Sequence, residues 1–427
     1  MPRENNFEHS KYSRSDPVER VDYRTLEPGA LPRSLAWKEE LALAGETLVR
    51  EGVRAILLVY GCYFGSDLFG SARLDEAGGL KRGYSRGIPG LESLLGALRP
   101  GPHLQPLEGQ GFSLPCANDE PTKVQFDAHA GEIGNFSGEY IETLRETLTR
   151  SGSLPLTCSR YLWSSVHHHL GRMEAALALF HELQALKKTL SLDSGHRVLV
   201  VAHGHAGQVL ALLSNLIVPG ESTVRLMIFN TLAEYYEQTN PASVSFSFLQ
   251  DLDQFLSTEE SQKSPALDIV TLGMPVRYGW DTSGIGRLLH FVNHRPIRND
   301  GKRWLAKMEL PQVAWEVPTA TGGDYVQQLA VAGTDALPTS SIEQDVNHAL
   351  REFLEPYDGF ERWLECVRRA TRCPNDGYCL LVDYQDTGES SPSDHLFGHA
   401  CYTRKTTMLF QIREIVNTLY SPPQSSL

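Results

Sequence analysis

Along Val198–Leu213, VLVVAHGHAGQVLALL, an apolar run ends at Ala202, crosses a turn walled by small residues, and resumes as an apolar helical pattern. Strand, sharp turn and helix in that order lift the middle turn residue to the rim of a sheet. From there an attacking side chain reaches a substrate carbonyl. In the pattern G-x-S-x-G, Ala202 and Ala206 take the small flanks and His203 and His205 the free positions, and Gly204 stands where the serine belongs. The spacing predicts a bend built for acyl chemistry that has no attacking hydroxyl.

Such chemistry also needs an acid and a base, displayed later in the chain and in that order. The acid is placed at Asp335, just past YVQQLAVAGT, read as a strand. The base is placed at His399 in DHLFGHACYT, between the strand GYCLLVDY and the closing helix. Asp281 and Asp383 compete for the first role and His395 for the second. As plain structure, Asp335 would cap the helix that begins near Ser340. Ser66, Ser164 and Ser165 are candidates for a displaced nucleophile, each needing its own aligned base.

These residues and their order resemble the α/β-hydrolase superfamily, in its lipase and esterase branches, over roughly Ala55 to Tyr420. VTLGMPV, at Val270–Val276, looks like the strand that follows the elbow helix in many lipases. VYGCYFGSD, at Val59–Asp67, looks like the oxyanion loop, with Tyr60 where a His-Gly pair would have its histidine. The resemblance implies that Tyr60 and Gly61 shape that loop and that the backbone amides of Cys62 and His205 bind an oxyanion. It implies no cofactor and no metal. Its ligand would be a small or lipid-like ester, and with Gly204 in the nucleophile position the chain would be a pseudoenzyme whose ester hydrolysis is lost or very weak.

Two other readings keep activity. His399 would activate a water beside Gly204, or His167, His168, His169, His203 and His205 would hold a hydrolytic metal, although no HExxH spacing occurs. The bland account of the first three histidines is the opening turn of a long helix capped by Ser164 or Ser165.

The elements that must position these residues are short apolar strands separated by amphipathic helices. That pattern predicts a mostly parallel sheet with helices on both faces, an α/β fold. Residues 1–33 read as a flexible polar arm, 34–420 as one domain, and 421–427 as a polar tail. Stretches near 71–130 and 221–265 break the alternation and read as insertions, with a cap or lid expected of them.

With 427 residues, 41% hydrophobic and 21% charged, the chain has ample material for a core. A net charge of -13 without any basic run argues against nucleic acid. The opening residues lack the apolar stretch of a signal peptide and no apolar run is long enough to cross a bilayer, so a cytoplasmic location is expected. Seven cysteines without a CxxC pair read as thiols. Cys366, Cys373 and Cys379 are close enough in sequence to suggest a bridge or metal site. The sequence sets no oligomeric state.

Overall fold

The computed structural model describes residues 22–26, 29–61, 118–149, 155–259, 261, 263–295, 320, 322–330, 338, 340–354, 374, 376–385 and 395–421. Among the described residues seven strands form one open sheet: β1 (Asp22–Thr25), β2 (Val53–Val59), β3 (Thr157–Tyr161), β4 (Arg197–His203), β5 (Ala266–Leu272), β6 (Arg287–Asn293) and β7 (Tyr378–Asp383). Their order across the sheet is β1-β7-β6-β5-β4-β2-β3, and every neighbouring pair is parallel. The fold is therefore α/β.

A parallel sheet must be covered on both faces, which is why its strands read as unbroken apolar runs. Alternation along β2 shows both covers. Ile56 and Leu58 face a core completed by Trp37, Leu41 and Leu48 of α1 (Leu35–Arg50), Tyr140 and Leu144 of α3 (Gly138–Leu148), and Met408 and Ile412 of α10 (Lys405–Ile415). Ala55, Leu57 and Val59 face the other core, against α4 (His169–Thr189) and α5 (Ala206–Leu216). Every residue of α5 is buried, as expected of a helix that is apolar all round.

The 221–265 insertion is a helical hairpin, α6 (Thr223–Thr239) and α7 (Val244–Ser257). It packs beside α4 and α9 (Ser341–Leu354) and extends the helical layer on that face. Of the 71–130 stretch the described part begins at Asn118 and holds α2 (Glu120–Ala130). Cys366 and Cys373 lie outside the described residues, and Cys379 sits in β7.

Two expectations change. Within the amino-terminal arm, residues 22–25 are β1, bound along β7 at the sheet's edge, with the Leu26 amide extending the pairing to Asp383 O at 2.8 Å. The segment read as a strand from Tyr325 is a helix, α8 (Tyr325–Ala330). Its start is fixed by Asp324, whose Oδ1 accepts from the Gln327 amide at 2.8 Å, a helix cap that alternating apolar residues do not reveal.

Candidate functional site

The bend after β4 forms as the sequence predicts. Gly204 has φ +52°, in the left-handed region where glycine is least strained, and α5 starts two residues later. Its amide is tied to Leu272 O at 2.9 Å, so the end of β5 fixes the height of the turn.

His399 faces Gly204. A first side-chain carbon on Gly204 would stand 2.7 Å from His399 Nε2, closer than unbonded carbon and nitrogen approach, and 3.7 Å from Gly61 Cα. The other ring nitrogen, Nδ1, is 2.6 Å from Asp324 Oδ2. With the carboxylate as acceptor, Nδ1 is the donor of that bond and Nε2 is the nitrogen turned toward Gly204. Both side chains are buried.

Asp324, the carboxylate against His399, is a residue the sequence reading did not single out. It follows β6 in space, because its amide donates to Asn293 O at 3.0 Å and Gly323 bridges to His294. Asn293 carries the other half of the clamp: its amide donates to the Tyr402 hydroxyl at 2.6 Å and its Nδ2 to Gly398 O at 2.8 Å. One residue at the end of β6 thus holds both the acid's turn and the base's turn. The packing leaves no slack, since any side chain at Gly273 would lie 2.7 Å from Asp324 Oδ2 and 2.5 Å from the Tyr402 ring.

Asp335 lies outside the described residues, as do Cys62 and Ser66. Of the rival acids, Asp281 caps a short turn by accepting from the Ser283 amide at 3.0 Å, and Asp383 pairs with Arg295 at 2.9 Å. His395 is fully buried and stands edge-on to Phe397, while His399 takes the place facing the bend.

His203 and His205 flank the turn as buried neutral rings. Burial first, then the neighbouring His399, holds His203 well below the ordinary histidine range. Its Nε2–H therefore donates to His399 O, at 3.1 Å, and the two rings lie tilted by 37° with centroids 4.2 Å apart. Burial, followed by the charge of Arg172, pushes His205 down to about 3.

Tyr60 and Gly61 run beside the bend at the end of β2. The Trp163 indole donates to both of their carbonyls, at 3.0 and 2.9 Å, which fixes the peptide planes at the loop's entrance. The Tyr60 hydroxyl lies 2.5 Å from Ser165 Oγ, a buried serine with φ +56°. That contact engages the displaced nucleophile candidate with a phenol rather than with a described histidine.

The remaining histidines are distributed among other tasks. His168, in place of Ser164 or Ser165, caps α4 by accepting from the Gly171 amide at 2.9 Å, His169 Nδ1 lies 2.9 Å from the Tyr278 hydroxyl, and His167 stands 4.7 Å from His205, ring to ring. Among the described residues no group of three His, Cys, Asp or Glu side chains is placed to hold a metal ion. No described helix is long and apolar enough to cross a membrane.

A signal for Asp324 was present in the sequence. Gly-Gly-Asp before an apolar stretch is a helix start, and it follows LLHFVN, the strand before last. Read as a strand, the same stretch places the acid candidate at Asp335, outside the described residues. Comparison with protein-family models, with curated proteins and with solved structures found no match.

Proposed function

We propose that this chain is an α/β-hydrolase-like protein of the lipase and esterase type in which Gly204 has replaced the attacking serine. Ester hydrolysis is lost or very weak, and the bend holds a carbonyl-containing, partly apolar ligand. The observation that carries this reading is the Asp324–His399 pair, hydrogen-bonded at 2.6 Å, with Nε2 trained on a left-handed glycine between a strand and a helix. A carboxylate, a correctly polarised imidazole and a vacant position in line are the parts of a serine relay, less its hydroxyl.

The missing atom decides the chemistry. Removing the nucleophile from a serine hydrolase costs about 10⁶ in turnover, or roughly 8 kcal/mol, and leaves only what binding and oxyanion donors supply. The water-based alternative needs room for an oxygen between Nε2 and the carbonyl. Nε2 is 2.7 Å from where a side chain at Gly204 would begin, so a water used by His399 would have to bind beside that line and not between the ring and Gly204.

The test is to assay p-nitrophenyl butyrate with the parent chain, Gly204→Ser and the parent carrying His399→Ala. Gly204→Ser is expected to gain at least about 10²-fold and at most about 10⁶-fold, with an initial burst and covalent labelling by a serine-directed phosphonate. The gain falls short of the maximum because His399 must retreat by several tenths of an ångström to admit the new side chain. A serine variant that is folded yet inert and unlabelled would overturn the proposal. Parent activity abolished by His399→Ala would put the water mechanism in its place.

A further inference from the structure

We propose that a cavity at the opposite, amino-terminal edge of the sheet is a second ligand site, which takes the hydrocarbon chain of an uncharged amphiphile with a hydroxyl head, such as a long-chain alcohol or a monoacylglycerol. The cavity measures about 670 Å³ and is walled by the starts of β4 and β5, at Val198, Ala266 and Leu267. Gly204 follows the far end of β4, seven residues long, which puts the elbow about 20 Å away at 3.3 Å per residue. The inference is therefore independent of the role assigned to the elbow.

The size and the apolar half of the lining fit a hydrocarbon chain, the other half being polar. Pockets that enclose small organic ligands run from about 300 to 1,000 Å³ and are mainly apolar with few polar groups. Here Phe180, Leu183, Leu213, Ile217, Phe255 and Ile285 form the apolar floor and sides, contributed by α4, α5, α7 and the turn before β6. Leu213 and Phe180 are buried, whereas Leu183, Ile217, Phe255 and Ile285 are only partly covered by protein.

The rim selects the head. Three helices end here: α4 brings Lys187 in its last turn, α5 brings its cap Ile217, and α7 brings Ser257 and its cap Thr258. Each carboxyl end carries about half a negative charge, although its last carbonyls accept bonds from the chain that follows, as Lys187 O does from the Leu192 amide at 2.9 Å and Phe255 O from Thr258 Oγ1 at 3.0 Å. A carboxylate head would be repelled by these ends. Lys187, whose Nζ lies 3.1 Å from Ser264 Oγ and 5.9 Å above the Phe255 ring, offsets that charge and would in turn repel a quaternary ammonium. Among the described residues the other charged group in the wall, Glu259, is paired with Lys263 at 3.1 Å. What the rim offers is the hydroxyl oxygens of Ser257, Thr258 and Ser261, which donate their protons to backbone carbonyls and can accept from an alcohol.

Titration calorimetry of the full chain with 1-alcohols from octanol to tetradecanol tests this. Affinity is expected to tighten about two- to fourfold per methylene and then level off once the cavity is full. Decanoate and decyltrimethylammonium are expected to bind at least tenfold more weakly than decanol. Leu183→Trp and Ile217→Trp, each filling the cavity from a partly exposed position, are expected to cost at least tenfold, with folding checked by thermal melts; should one fail to fold, the other reports. His399→Ala is expected to bind as the parent does, which keeps this result separate from the elbow. No saturable binding, decanoate binding as tightly as decanol, or affinity retained by a folded tryptophan variant would each overturn the proposal.

Discussion

The two edges of the sheet are built on different principles. At the carboxyl edge, Asp324 is fixed by Gln327, Asn293 and His399, and His399 by Asp324 and His203, so each polar group is placed from more than one side. At the amino edge, apolar side chains from three helices meet around open space, with the Lys187–Ser264 contact at the rim. Directional bonds fix geometry to tenths of an ångström, which chemistry on a carbonyl requires. Apolar contacts fix only a volume, which is enough to accept a chain of methylenes.

The sharpest way to break that contrast is to remove one bond from the over-determined edge. In the Gly204→Ser background, Asp324→Asn is expected to lower turnover on p-nitrophenyl butyrate by about 10⁴-fold, because an amide facing Nδ1 favours the wrong tautomer of His399. Asp335→Asn in the same background is expected to stay within a fewfold of its parent. A reversed result, with Asp335 carrying the large loss, would return the acid's role to that position and leave the 2.6 Å contact of Asp324 without functional meaning.

A smaller effect concerns α4, the helix that joins the two edges. Glu174 lies near its start, and burial pushes its carboxyl up to about 7, while Tyr236 Oη–H donates to Oε1 at 2.8 Å and the charge of Glu343 adds to the rise. A folded-state value above the unfolded one means that the native protein holds the extra proton. The stabilising contribution is complete below about 4.5 and is lost as pH rises through 7. Between pH 5 and 8 the parent is expected to lose about 2 kcal/mol more in urea melts than Glu174→Gln does. The cost at the high end is that of a buried charge, since the Tyr236 hydroxyl donates to the ionised carboxylate as well as to the neutral acid. Equal pH slopes for parent and variant would mean that Glu174 is not the source of the loss.

Legibility in the sequence follows the same division. Strands β4 and β5, helix α5 and the bend at Gly204 could be read directly because local periodicity and small residues specify them. His399 was found because it stands between a strand and a helix that are both locally evident. Asp324 was not, since its position depends on Asn293 and on a cap that shortens what looked like a strand. The Asn293 clamp joins residues 105 apart, and no local pattern encodes it. The amino-edge cavity was invisible for a further reason: Leu183, Leu213 and Phe255 read as ordinary core positions, and only assembly shows that the helices bearing them stop short of closing.

That incomplete closure makes a quantitative statement about Leu183, the smallest effect expected here. Deleting a buried leucine from a packed core costs about 2–5 kcal/mol, as lost transfer energy plus the energy of the void left behind. Leu183 borders a cavity that already exists and is only partly covered, so its removal enlarges a space instead of creating one. Leu183→Ala is therefore expected to cost about 1 kcal/mol in urea melts, at the low end of such substitutions. The same truncation at Leu177, fully buried and two turns nearer the carboxyl edge on the same helix, is expected to cost about 3 kcal/mol. Equal losses at the two positions would mean that the amino edge closes in solution as tightly as the other, and the openness on which the second ligand site depends would be gone.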